Sequence, residues 1–222
     1  MKDCIHVKLV WVLAALLLAS SQVVVVRVER PVGEGLHILV ARAASTARGA
    51  DALILVLDTY GGYVYSLDRA LRELASCTCL KAVWIPPGGK AVSAGAVLAL
   101  AADRIFMAEG SVIGACQPQP TVEKVVEYVK GRIRSLAEKR GLNESTIRLL
   151  EEMVTENRVF TSREAVELGL AERADTLSEV LERLGLSGAA VVEVRGGVEV
   201  ELAALLLDPG VALAMLVVGL LL

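Results

Sequence analysis

Aromatic residues make up only 4% of this chain, so its core must be built from Val, Leu and Ala packed closely rather than around stacked rings. Histidine is scarcer still. His6 falls in an apolar N-terminal stretch and His37 on a helical segment, which leaves a Ser-His-Asp hydrolase poorly supplied. Four cysteines (Cys4, Cys77, Cys79 and Cys116) are too few for a disulfide framework. Cys77 and Cys79 lack the second pair that a zinc site would need, and they read as buried or free thiols. Positive charge is not in excess: the formal net charge is -3, which gives no field for a polyanion and excludes nucleic acid as a partner. No low-complexity linker and no internal repeat breaks the chain.

What is present is apolar. Hydrophobic residues reach 55% and mean hydropathy is +0.57, high for a soluble domain. Charged residues still make up 22%, enough for a water-facing surface. The 222 residues suit one domain of about 150–200 residues with short appendages. Residues 1–21 combine Lys2 and Lys8 with an apolar run from Leu9 to Ala19 and a small-residue exit at Ser20-Ser21. This is the pattern of a signal peptide, or of an anchor if it is retained. At the other end Val211 to Leu222 carries no charge, but is shorter than the ~20 residues of a membrane helix. Residues 208–222 therefore read as the start of a C-terminal membrane segment.

Between these ends, strands and helices alternate. Val23–Val28, Ala52–Leu57, Leu80–Ile85 and Arg104–Ala108 read as buried strands. Helical spacing runs over Glu34–Arg48, Ser66–Ser76, Ser93–Ala102, Thr121–Arg140, Glu144–Glu156, Ser162–Leu168 and Leu177–Leu184. Ala190–Val194 and Val198–Leu202 flank Gly196-Gly197, a hairpin signal. The alternation predicts an α/β fold with a parallel sheet over residues 22–187, followed by a β-hairpin and linker over 188–207.

Two loops carry candidate chemistry. Asp58-Thr59-Tyr60-Gly61-Gly62 follows a buried strand directly, and its glycines let backbone N–H groups approach a ligand closely enough to hold an oxyanion. Ala91-Val92-Ser93-Ala94-Gly95 opens a helix of small residues. Ser93 at that point is either a structural N-cap or a nucleophile favoured by the helix N-terminus, with the Ala94 N–H beside it. With histidine excluded, a desolvated lysine is the available general base. On the helix Thr121–Arg140 the inward stripe is Val122, Val125, Val126, Val129, Ile133 and Leu136. Lys130 lies at its edge, where it could equally snorkel outward; Arg134 lies further round.

The runs Leu55 to Gly62, Val92 to Gly95, Ala101 to Ala108 and Gly110 to Cys116, with Ser135-Leu-Ala-Glu138 and Phe160-Thr161, resemble the NfeD-type membrane serine proteases. These are stomatin operon partner proteins of the ClpP/crotonase superfamily, related to signal peptide peptidase A. The resemblance covers roughly Val23 to Asp208. It implies a spiral of ββα units and an extracytoplasmic Ser-Lys dyad peptidase, dimeric or larger, with no cofactor. Its substrate would be an apolar peptide or a stomatin-like membrane partner. By position, Ser93 matches the nucleophile and Gly61-Gly62 the oxyanion loop. Tyr60 stands where the family has proline. At the family's lysine position this chain has Arg134, whose guanidinium stays protonated and cannot take the serine proton. Two readings follow from that substitution. In one, Lys130 replaces the missing base, with Arg134 a neighbouring cation. In the other, the domain is a pseudoprotease that binds without cutting. An acyl-CoA enzyme of the crotonase type is a more distant reading, opposed by the export and membrane signals.

Overall fold

A computed structural model describes residues 21–206, with 211 and 213. Most of the expected leader at 1–21 and of the apolar segment at 208–222 lies outside the described residues. Six strands form the main sheet: β1 (Gln22–Val28), β2 (Ala52–Leu57), β3 (Leu80–Ile85), β5 (Arg104–Met107), β8 (Glu172–Arg173) and β9 (Ala190–Val194). Their order is β8-β5-β3-β2-β1-β9, and every pairing is parallel. All six residues of β2 are buried, as a strand covered on both faces requires. Alternation along the strands feeds two apolar layers. Val24, Val26, Leu53, Leu55 and Val83 face the larger core. Val23, Val25, Ile54, Val56, Trp84 and Phe106 face a smaller one.

The larger layer is covered by α1 (Glu34–Thr46), α2 (Val64–Ser76), α3 (Ala94–Leu100), α4 (Glu123–Lys139) and α5 (Glu144–Thr155). The seven residues of α3 are all buried, which only small and aliphatic side chains permit at such close quarters. A second sheet, unforeseen in the sequence, joins β4 (Lys90–Val92), β6 (Val112–Gly114) and β7 (Val159–Thr161). Two short helices complete the domain: α6 (Ser162–Glu167), started by a Thr161–Glu164 capping box, and α7 (Leu177–Arg183) against the smaller layer.

Two expectations are corrected. The hairpin after Ala190 does not form: β9 pairs in parallel with β1, and Val198–Leu206 is a helix, α8, packed on α1. The alternation Val198-Glu-Val200-Glu-Leu202 reads as a strand, but the segment does not add to the outer edge of β9, which ends the sheet. The turn instead lowers Val200, 4% exposed, against α1. Cys77 and Cys79 are not free thiols either; they form a disulfide between α2 and β3, and among the described residues Cys116 is free and buried.

A polar cluster clamps α1 to α2. Arg69 donates to Glu34 Oε2 at 2.8 Å, and Ser66 Oγ donates to Glu34 Oε1 at 3.0 Å. Arg69 Nη2 also lies 2.7 Å from His37 Nε2. Arginine can only donate, so His37 is the acceptor and must be neutral there. Burial and then the Arg69 charge lower its pKa, against the opposing pull of Glu34 and Glu73. The unfolded chain therefore binds a proton near pH 6.5 that the folded chain resists. This contribution is complete above that pH and is lost as pH falls below it. Thermal unfolding midpoints should drop between pH 7 and pH 5, and the drop should be smaller in His37→Gln.

Candidate active site

Ser93 sits where β4 ends and α3 begins, with φ 56° and ψ −122°. This conformation costs a residue with a Cβ about 1–3 kcal/mol. Several bonds hold it. The Ser93 N–H donates to Gly114 O at 2.8 Å, and its carbonyl accepts from Ala96 N–H at 3.0 Å and from the Cys116 thiol at 3.5 Å. Burial pushes the Cys116 thiol up to about 12, so it keeps its proton and donates. The hydroxyl of Ser93 does not cap α3, and among the described residues it has no hydrogen bond. The reading of this serine as a structural N-cap is thereby corrected, because such a cap would be using its oxygen on the helix.

The glycine loop lies directly against it. Gly61 has φ 90°, and a Cβ there would stand 2.6 Å from Ser93 Cβ and 2.9 Å from Ala94 N. Gly62 presses on the neighbouring segment so closely that a Cβ would stand 2.3 Å from Val32 O. The buried Thr59 hydroxyl fixes the loop, donating to Arg30 O at 2.6 Å and accepting from Gly61 N–H at 3.1 Å. With the Gly61 N–H so engaged, the free donors are those of Gly62 and Ala94, neither of which meets an acceptor among the described residues. On the far side of this loop, Pro31, Gly33, Leu36, Tyr63, Val200 and Glu201 help line a groove of about 670 Å³.

The two candidate bases differ in surroundings. Arg134 Nε donates to Glu151 at 2.7 Å, and Nη2 donates to Glu144 at 3.0 Å. These bonds hold its pKa well above the ordinary arginine value and direct its fork to α5. Lys130 is half-buried on α4, which packs against α3, and it makes no hydrogen bond or ion pair among the described residues. Lys90 and Lys81 are engaged with Asp58 and Asp103. Thr59, Gly114 and Cys116 escaped the residue-by-residue reading. Their signal was slight: a buried threonine inside a glycine loop, and a glycine two residues before a buried cysteine.

A strained serine at the end of a short strand, held against the glycine pair that follows a strand of the parallel sheet, defines the class, and the chain belongs to the NfeD1b N-terminal domain family, whose model matches residues 22–194. It is 32% identical over 146 residues to the membrane-bound protease PH1510 of Pyrococcus horikoshii, covering 60% of this chain and 32% of that protein. The chain thus spans about a third of that relative's length. Among solved structures it resembles a serine-to-alanine mutant of the 1510-N membrane-bound stomatin-specific protease, with TM-score 0.74, 25% identity, and coverage of 81% of this chain and 100% of the other. A lysine-to-alanine mutant of 1510-N in complex with a substrate peptide superposes with TM-score 0.75 at 24% identity, covering 86% and 99%.

Proposed function

We propose that this protein is a membrane-associated serine endopeptidase that cuts apolar peptide segments, a stomatin-like membrane protein among them. The observation that carries this reading is the Ser93 hydroxyl, unused by the fold and seated against Gly61. In the mechanism, Ser93 Oγ attacks the peptide carbonyl and the Gly62 and Ala94 N–H groups receive the charge developing on its oxygen. Lys130 takes the hydroxyl proton and returns it to the departing amine. Support for Lys130 comes from elimination. Lys81 and Lys90 are ion-paired, Lys124 and Lys139 are exposed, and Arg134 is engaged by glutamates. The relatives' names, with a stomatin-specific activity and a substrate-peptide complex, support the substrate class. By the same resemblance, the protein would work as a homodimer or larger assembly with its catalytic domain on the extracytoplasmic side.

The test is hydrolysis of apolar peptides, including the apolar C-terminal region of a stomatin-like protein, by the full chain. Turnover that disappears in Ser93→Ala is the expected result. Tight binding of the same peptides with no turnover would replace the peptidase with a clamp.

A further inference from the structure

Three tyrosines stand in solvent within six residues of the glycine loop. Tyr60 is 77% exposed, Tyr65 is 65% exposed, and Tyr63 lies between them, half in water. Single exposed apolar residues need no explanation, but a contiguous set at a functional rim does. A second exposed set, Val198, Leu202 and Leu205, runs along α8 at helical spacing.

The two sets share one edge of the molecule. Tyr60 and Tyr63 follow β2 and Tyr65 opens α2, all at the C-terminal ends of the parallel strands. The direction of α8 follows from its partners. Arg195, just before it, accepts from Arg42 well inside α1, whereas Glu201 pairs with Arg30, ahead of α1. The helix therefore runs antiparallel to α1, toward the edge that holds the tyrosines, and Val200 and Glu201 line the same groove as Tyr63. From Leu206 to Leu222 the sequence carries a single charge, Asp208. Phenol rings with an apolar body and a polar tip suit the boundary between headgroups and acyl chains.

Resting on the membrane association proposed above, we infer that this edge docks on the bilayer interface. Tyr60, Tyr63, Tyr65, Leu202 and Leu205 enter the headgroup layer, so that Ser93 meets its peptide at the lipid surface. The cations of the edge are already engaged: Lys90 with Asp58, Arg69 with Glu34 and Arg30 with Glu201. Docking is accordingly driven by apolar and aromatic burial, not by lipid charge, and is complete on uncharged phosphatidylcholine.

The experiment places a bimane label on the full chain at Tyr60→Cys, at Leu202→Cys and at Arg48→Cys on the opposite edge, with Cys4→Ser throughout and the buried Cys116 unreactive. Proteins are reconstituted in phosphatidylcholine vesicles and quenched with brominated lipid. Quenching at 60 and 202 at least threefold above that at 48 is expected, unchanged by anionic lipid or by salt. Equal quenching at the three positions overturns the inference. Stronger quenching at 48 also overturns it, pointing to a chain held by the residues ahead of β1. Shielding of position 60 in detergent as well as in vesicles assigns the edge to a second copy and overturns it too. Vesicle flotation separates the failures. Protein that floats with position 60 unquenched loses only the docking edge, and protein that does not float loses membrane association itself.

Discussion

Ser93→Ala is expected to reduce kcat on apolar peptides on the order of 10⁶-fold, the scale on which removal of a serine nucleophile acts in subtilisin. The urea unfolding midpoint should barely move, because the hydroxyl has no bond to lose within the described fold. Lys130→Ala should cost about 10²–10⁴-fold, the range of a lost general base. Arg134→Ala should stay within about tenfold of wild type, since its guanidinium is committed to Glu144 and Glu151 and holds no exchangeable charge in the working pH range. The three variants assayed together decide the base. A severe loss in Arg134→Ala with full activity in Lys130→Ala would remove Lys130 from the mechanism. Activity in wild type that all three variants share would mean a contaminating peptidase and would leave binding as the function.

Gly61→Ala should damage both the fold and the activity. The backbone there has φ 90°, and the new carbon would stand 2.6 Å from both Ser93 Cβ and Val92 O. Neither neighbour can retreat, because Ser93 is tied to Gly114 and Val92 N–H donates to Thr59 O at 3.0 Å. Strain and overpacking together should cost about 2–5 kcal/mol, and peptidase activity should be lost in whatever fraction folds. Gly49→Ala is the matched control. Its φ is 83°, yet an added Cβ meets nothing within 4 Å, so only the backbone cost of about 1–2 kcal/mol remains. Urea midpoints at constant m value measure the difference. Equal losses at the two sites would mean that the loop does not press on the serine as described.

Much of the framework was readable because it depends on local pattern. β2 is an uninterrupted apolar run, β1 and β3 are apolar apart from Gln22, Arg27 and Lys81, and the helices α1 to α5 announce themselves by spacing or by small-residue density. The chemistry of Ser93 and Gly61-Gly62 was also legible, since a serine opening a helix and a glycine pair after a buried strand each carry a local signal. The rest depends on partners distant in sequence. β4, β6 and β7 have three residues each, too few for a period to show, and they exist because each finds the others. Val198–Leu202 alternates as a strand does, and the helix it forms instead packs on α1, a partner distant in sequence. Arg134 could be recognised as a failed base from its chemistry alone. That its fork closes on Glu144 and Glu151 required the turn between α4 and α5.

Ser93 hangs between the two sheets: its chain arrives on β4, its N–H is held by the last residue of β6, and just beyond the paired strands β6 and β7 the Ala115 N–H donates to Arg158 O at 2.7 Å. On the proposed mechanism, the reactivity of Ser93 would be a mechanical property of the small sheet as much as a chemical property of its surroundings. Substitutions that loosen Phe160 or Ile113 would blunt the attack without altering a single group that touches the peptide, whereas the tyrosine-bearing rim is free to vary and to retune which peptides arrive.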